Sequence, residues 1–176
     1  MKPFDLAMRV QSVDGIVESE TGVVGTDFER IHSQRNRLYR ALALAVGDPT
    51  LAAEAVDEAM TRAYERWSVV SKYDNPEGWV YRVALNWARS VHRKTNRENL
   101  WSDPPDWPMS DHIADHDVRV AIGRLPVKLR SVVVVRYLLD WSTIQTAEAL
   151  GIPQATVKTR LRRALVRLAK DLGDDE

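Results

Sequence analysis

Two kinds of side chain in this sequence have spacings that suit chemistry: a histidine pair set among carboxylates, and two rows of cations at helical intervals. His112 and His116 are four residues apart, with Asp111, Asp115 and Asp117 close by. On a helix that spacing puts both imidazoles on one face, where with a carboxylate they suit a divalent cation. The same acids also suit the first turn of a following helix, where the helix dipole favours negative charge. The second reading is preferred, because the stretch carries Pro104, Pro105 and Pro108 and is a poor scaffold for preorganised chemistry. No metal and no other cofactor is expected. The cations carry the stronger signal. Lys158, Arg160, Arg162, Arg163 and Arg167 follow one another with no acid between Glu148 and Asp171. Upstream, Arg82, Asn86, Arg89 and Arg93 recur at intervals of four, three and four, and line one edge of a helix with Tyr81 beside them. Cations neutralise phosphates, aromatic rings stack on bases and amides read base edges, so the chemistry suited is nucleic-acid binding, although the upstream row taken alone reads equally as a solvated helix face.

The downstream row is positioned by the stretch Trp141 to Arg167. A helix from Thr143 to Leu150 runs into Gly151-Ile152-Pro153, and a second helix starts at Gln154 and runs to about Lys170. Gly151 falls where a helix C-terminus takes a positive φ, and Pro153 restarts the chain where a missing N–H costs nothing. Ala147, Leu150, Ile152, Val157, Leu161, Ala164, Leu165 and Leu168 supply the inward faces. Two helices, a short turn with glycine and a basic second helix make a helix-turn-helix whose second helix enters a major groove. An ordinary helical hairpin with a solvated basic face is the plainer alternative, and the one-sidedness of the charge argues against it.

The upstream row belongs to a separate helical segment. From Phe28 the apolar residues Phe28, Ile31, Leu38, Leu42, Ala45 and Val46 keep a helical period to Gly47, with Asp27 able to cap. Asp48-Pro49 restarts a helix that runs to about Trp67, with Val56, Ala59, Met60, Ala63 and Trp67 inward. A loop from Val69 to Asp74 follows, and Asn75-Pro76 then opens a third helix to about Arg93, whose apolar stripe is Trp79, Val80, Val83, Ala84, Trp87 and Val91. Further on, Val118, Ile122 and Leu125 form a short helix and Pro126 restarts the next. Val132 to Val135 would be a strand by propensity, but the surrounding spacing makes it a buried helix.

Composition narrows the class. The 176 residues include no cysteine, so neither a disulfide framework nor a thiolate site is available, as suits a reducing cytoplasm. Asp5, Arg9 and Asp14 interrupt the N-terminus, so no signal peptide or membrane span is read there. The net charge of zero conceals segregation: residues 118–170 hold 11 Lys and Arg against 2 acids, whereas residues 95–117 hold 1 against 6. A basic module behind an acidic, proline-containing connector points to a polyanion partner.

Three stretches, LYRALALAVGDPTLAAEAVDEAMTRAYERW, PEGWVYRVALNWARSVHRK and LPVKLRSVVVVRYLLDWSTIQTAEALGIPQATVKTRLRRAL, occur in that order. With the spacings W-x-Y-R-x-x-x-N from Trp79 and T-V-K-T-R-L-x-R-A from Thr156, the chain resembles the extracytoplasmic-function sigma factors, promoter-specificity subunits of bacterial RNA polymerase. The resemblance covers residues 28–94, similar to region 2, and 118–172, similar to region 4. It implies an all-α fold of two small helical domains joined by a flexible linker (95–117), with a flexible N-terminal extension (1–27) and an acidic tail (173–176). It implies −10 recognition by Tyr81, Arg82, Asn86 and Arg89 with the loop Ser71 to Asn75, Lys72 and Asn75 included. The −35 element would be read by Lys158, Thr159, Arg162 and Arg163, with Gln154 and Thr156 near phosphates. Asp57, Glu58, Arg62 and Arg66 would meet core polymerase. An anti-sigma factor is a possible further partner, and the implied protein is cytoplasmic, binds no membrane and is not an enzyme. The chain departs from the family at Gln145-Thr146-Ala147, where Glu-Ile-Ala is usual, and at Ile144, often polar. It departs again at Asp57-Glu58, where Gln-Glu is frequent, and at Met60, where an aromatic residue is. The alternatives are a stand-alone helix-turn-helix regulator and, more distantly, a metal-dependent enzyme built on His112 and His116.

Overall fold

The structure, a computed structural model, describes residues 21–95 and 116–173. All regular structure among these residues is helical: α1 (Thr21–Ser33), α2 (Arg35–Val46), α3 (Pro49–Glu65), α4 (Trp67–Val70), α5 (Pro76–Thr95), α6 (His116–Arg124), α7 (Val127–Tyr137), α8 (Thr143–Leu150) and α9 (Gln154–Asp171). The all-α class read from the periodicity is the class the chain adopts. His112, Trp101 and Trp107 lie outside the described residues, as does most of the acidic connector.

Caps set the boundaries. Asp48 accepts from the Leu51 N–H at 2.9 Å ahead of Pro49, and Asn75 accepts from the Gly78 N–H at 2.8 Å ahead of Pro76. Gly47 ends α2 at φ 74° and Gly151 ends α8 at φ 65°, the left-handed conformation that costs glycine least. At the start of α8 the Ser142 hydroxyl accepts from the Gln145 N–H while the Gln145 side chain accepts from the Ser142 N–H. That reciprocal capping box gives the departure at Gln145 a physical role. Ser142→Ala is expected to lower stability by about 1 kcal/mol, read as a shift of the urea midpoint without a change in slope.

Three boundaries differ from the expectation. Helix begins at Thr21, not at Phe28, so the end of the N-terminal extension is structured. The expected single helix to Gly47 is two, α1 and α2, broken at Gln34. There the Ser33 hydroxyl bonds back to the Arg30 carbonyl at 2.6 Å and the Gln34 N–H turns to Ile31, diverting the ladder. Val69 and Val70, read as loop, belong to the one-turn helix α4, whose Trp67 and Val70 are buried.

α3 packs on α5 and α2, and α7 packs on α9, α8 and α2. Val132 to Val135 are all buried because α7 is covered on every side, which is why its apolar run has no stripe. Val132, Ala147 and Val157 close a small core of the helix-turn-helix, joined by Leu150, Ile152 and Leu161. Leu165, expected inward, is exposed: it lies on α9 beyond the faces that α7 and α8 cover. The main core runs through both halves of the chain, from Ile31 to Ala164.

Candidate nucleic-acid interface

α9 turns Val157 and Ala164 into the core. With 3.6 residues per turn, Thr159 and Arg162 fall on the opposite side, Lys158 and Arg163 fall on its two edges, and Gln154 lies further round on the Lys158 flank. All five are exposed, and Thr156 is half-buried near the start of the helix. The Thr159 hydroxyl donates to the Ala155 carbonyl at 2.9 Å, which steadies it against its own helix. Lys158 and Arg163, expected on one DNA-facing side, therefore diverge to its two edges, and Thr159 with Arg162 forms its centre.

α5 has two apolar faces where the sequence suggested one. Val80 and Ala84 belong to the expected stripe and are buried, while Trp79, Val83 and Trp87 are half-buried. Tyr81, Leu85 and Ala88 are buried as well. Tyr81, expected beside the basic edge, is 0% exposed and meets Trp141 edge to face, the ring centroids 5.7 Å apart and the planes at 85°. Its hydroxyl is buried with no hydrogen-bond partner. Burial pushes the phenol well above its ordinary pKa, against a downward pull from Arg89. Desolvation lowers the Arg89 guanidinium, the phenol raises it, and Arg160 on α9 lowers it as a like charge. Tyr81 is thus a neutral phenol and Arg89 a cation at any ordinary pH.

The remaining edge of α5 borders a groove of about 350 Å³ shared with α3. Asn86 is exposed in it, and Trp79, Trp87, Arg62, Arg82 and Lys94 line the same groove. Aromatic walls, one amide and three cations suit an unstacked base and its phosphates. Across the start of α5, Lys72 is exposed in the loop, while Asn75 is half-buried because its carbonyl oxygen caps the helix. A Cβ at Gly78 would lie 2.5 Å from the Asn75 amide nitrogen, so glycine there makes room for the cap.

On α3, Asp57 accepts from Arg35 at 2.6 Å and Glu58 from Arg62 at 2.7 Å. Arg66 is exposed where the helix ends. These exposed pairs contribute little stability, so Arg35→Ala is expected to cost less than about 1 kcal/mol in thermal unfolding and to leave Asp57 free for a partner.

The comparisons with known proteins fall on the same elements. Residues 115–168, spanning α6 to most of α9, match the family model described as Sigma-70, region 4. The chain is 32% identical over 149 residues to the RNA polymerase sigma-E factor of Streptomyces coelicolor, covering 82% of this chain and 84% of that one. It is 31% identical over 151 residues to the ECF RNA polymerase sigma factor SigM of Mycobacterium tuberculosis, covering 83% and 75%. The chain belongs to the extracytoplasmic-function sigma factors. Its function is that of a sigma subunit, which binds RNA polymerase and directs promoter-specific initiation. The fold of this sigma factor is like that of the sigma factor RpoE in a co-crystal with the anti-sigma factor NepR from Bartonella quintana, with a TM-score of 0.66 at 18% identity over 84% of this chain and 97% of that one. It is also like CnrH in complex with the cytosolic domain of CnrY, with a TM-score of 0.61 at 19% identity over 89% and 93%.

One residue of this sigma factor that the spacing argument passed over is Trp141. It is buried, and its carbonyl accepts from Arg136 and from the Thr146 hydroxyl, which fixes the indole at the mouth of α8. The available signal was position: a large aromatic directly before the capping serine of the helix-turn-helix. Among the described residues no group of His, Cys, Asp and Glu is arranged to hold a metal, and no helix is long and apolar enough to cross a membrane.

Proposed function

We propose that this sigma factor reads its promoter with two separate surfaces, the α5 groove for the −10 strand and the outer side of α9 for the −35 duplex. The observation that carries the reading is the groove itself, which Asn86 lines together with two indoles and three cations. An amide in that position pairs with the edge of a base held against aromatic faces, and Arg82 with Lys94 neutralises the flanking phosphates. Arg89 and Lys72 extend the basic track, and Asn75 shapes the loop that ends it. On α9, Arg162 and Arg163 reach base edges while Gln154, Thr156 and Lys158 take phosphates and fix the register.

The exposed side of α3, with Asp57, Glu58 and Arg66, docks on core polymerase. Arg62 stands at the border of this side and the α5 groove, so its substitution should affect both functions. The protein acts stoichiometrically in the cytoplasm and performs no chemistry of its own. Affinity retention of core polymerase tests the α3 assignment. The double variant Asp57→Ala, Arg66→Ala should lose retention while keeping its far-ultraviolet spectrum. Full retention by that variant would move the docking surface elsewhere. A stand-alone regulator, by contrast, would need no polymerase to act and would be indifferent to both changes.

A further inference from the structure

We infer that the α5 groove takes three consecutive nucleotides in register with Asn86, Ser90 and Lys94, and that Ser90 is a second residue that sets −10 specificity. This rests on the assignment of that groove to the −10 strand. The edge read from the sequence, Arg82, Asn86, Arg89 and Arg93, divides in the structure. Arg82 and Asn86 line the groove, and Ser90 and Lys94 continue it in place of Arg89 and Arg93. Asn86, Ser90 and Lys94 are spaced by four residues. Each step therefore rises about 6 Å along the helix and turns about 40° toward the side of Trp87 and Val91, so the row follows the groove. Stacked nucleotides repeat about every 3.4 Å along one strand, and unstacking draws the backbone out beyond that repeat. Successive side chains of the row then meet successive unstacked nucleotides.

The chain's own packing leaves these three side chains unused. A hydroxyl within a helix commonly bonds back to the carbonyl one turn earlier, as Ser131 does to Val127 at 2.8 Å and Thr159 to Ala155 at 2.9 Å. The Ser90 hydroxyl makes no such bond and has no hydrogen-bond partner among the described residues, although it lies half-buried in the groove. Serine in mid-helix gives up the propensity that alanine would supply, and no internal bond offsets the loss here. Among the described residues the Asn86 amide and the Lys94 ammonium also have no hydrogen-bond or ion-pair partner. One proton and two lone pairs let the Ser90 hydroxyl meet either a donor or an acceptor on a base edge, so it discriminates less sharply than the Asn86 amide. Lys94, exposed at the end of the row, meets a phosphate as a point charge.

The test is a promoter library randomised across the −10 element, incubated with core polymerase and the full-length chain, and recovered as open complexes for sequencing. The unaltered chain should show a base preference at two adjacent positions. Asn86→Ala should flatten one of them, and Ser90→Ala should flatten its neighbour by about 3- to 10-fold, as the loss of one hydrogen bond does. Ser90→Asn, whose amide can pair with the adenine edge, should move that same neighbour toward adenine. Lys94→Ala should weaken all sequences alike and lower the salt slope by about one. Variants are compared at equal retention of core polymerase, so that a folding defect is not read as lost specificity. A −10 profile unchanged by both Ser90→Ala and Ser90→Asn would overturn the role of Ser90. Flattening by Ser90→Ala at the Asn86 position, or at one not adjacent to it, would overturn the register. An unchanged salt slope for Lys94→Ala would overturn the third step. Asn86→Ala without effect at any position would instead remove the groove from −10 recognition, which tells the two failures apart.

Discussion

Asn86→Ala is expected to leave binding to core polymerase unchanged and to reduce open-complex formation by ~1–3 kcal/mol, roughly 5- to 150-fold. The residue lines the α5 groove together with Trp79 and Trp87, on a different helix from Asp57 and Glu58. A base drawn from the duplex loses its stacking and pairing, at a cost of a few kcal/mol. The groove recovers part of that cost through stacking on the indoles and through the amide's hydrogen bonds to the base edge. Removing the amide leaves the base's polar edge unpaired in a partly enclosed site. A promoter with a pre-opened bubble should rescue the variant only in part, because holding the base is impaired as well as melting. Permanganate reactivity of −10 thymines, measured beside retention of core polymerase, separates the two. Loss of retention with normal opening would return Asn86 to the fold or to the polymerase contact.

The second large effect is expected on α9. Arg163→Ala should cost ~1–3 kcal/mol against a matched −35 site and relax the preference at one base pair. Lys158→Ala, on the flank of the same helix, should weaken all sequences alike and reduce the salt slope by about one. The two residues flank the side opposite buried Val157 and Ala164 about equally, one on each edge, so the contrast follows from chemistry: the planar guanidinium of Arg163 can pair bidentately with a base edge, whereas the Lys158 ammonium acts as a point charge. Competition binding with matched and altered duplexes at several salt concentrations reads both numbers. Identical behaviour of the two variants would mean that α9 holds DNA by charge alone.

How much of this was legible in the sequence depends on the range of the interaction. Caps and turns act within four residues, so Asp48-Pro49, Asn75-Pro76 and Gly151-Pro153 place helix ends correctly without any tertiary knowledge. The valine run of α7 was resolvable because its helical flanks outweigh strand propensity, and complete burial explains why it needs no polar face. The break at Gln34 was less visible, since it depends on one hydroxyl of Ser33 choosing a backbone carbonyl. Tyr81 was the instructive miss. Beside a row of arginines it reads as exposed, yet it is buried in the main core and meets Trp141 from 60 positions downstream, a pairing that no local pattern encodes. Leu85 and Ala88 are buried too, and their spacing with Tyr81 is itself helical and marks a second apolar face in retrospect. On α9 the opposite happened: Leu165 was counted inward yet is exposed, because it lies about a quarter-turn around the helix from buried Val157 and Ala164.

The claim on which all of this depends is that the chain supplies promoter specificity to polymerase through these two surfaces. Run-off transcription with purified core polymerase and a library of promoter fragments tests it most directly. Transcripts should appear only when the chain is added, should start downstream of a shared pair of sequence elements, and should fall with Asn86→Ala and Arg163→Ala. Polymerase that initiates no better with the chain than without it, or a chain that occupies duplex DNA yet never associates with polymerase, would contradict it.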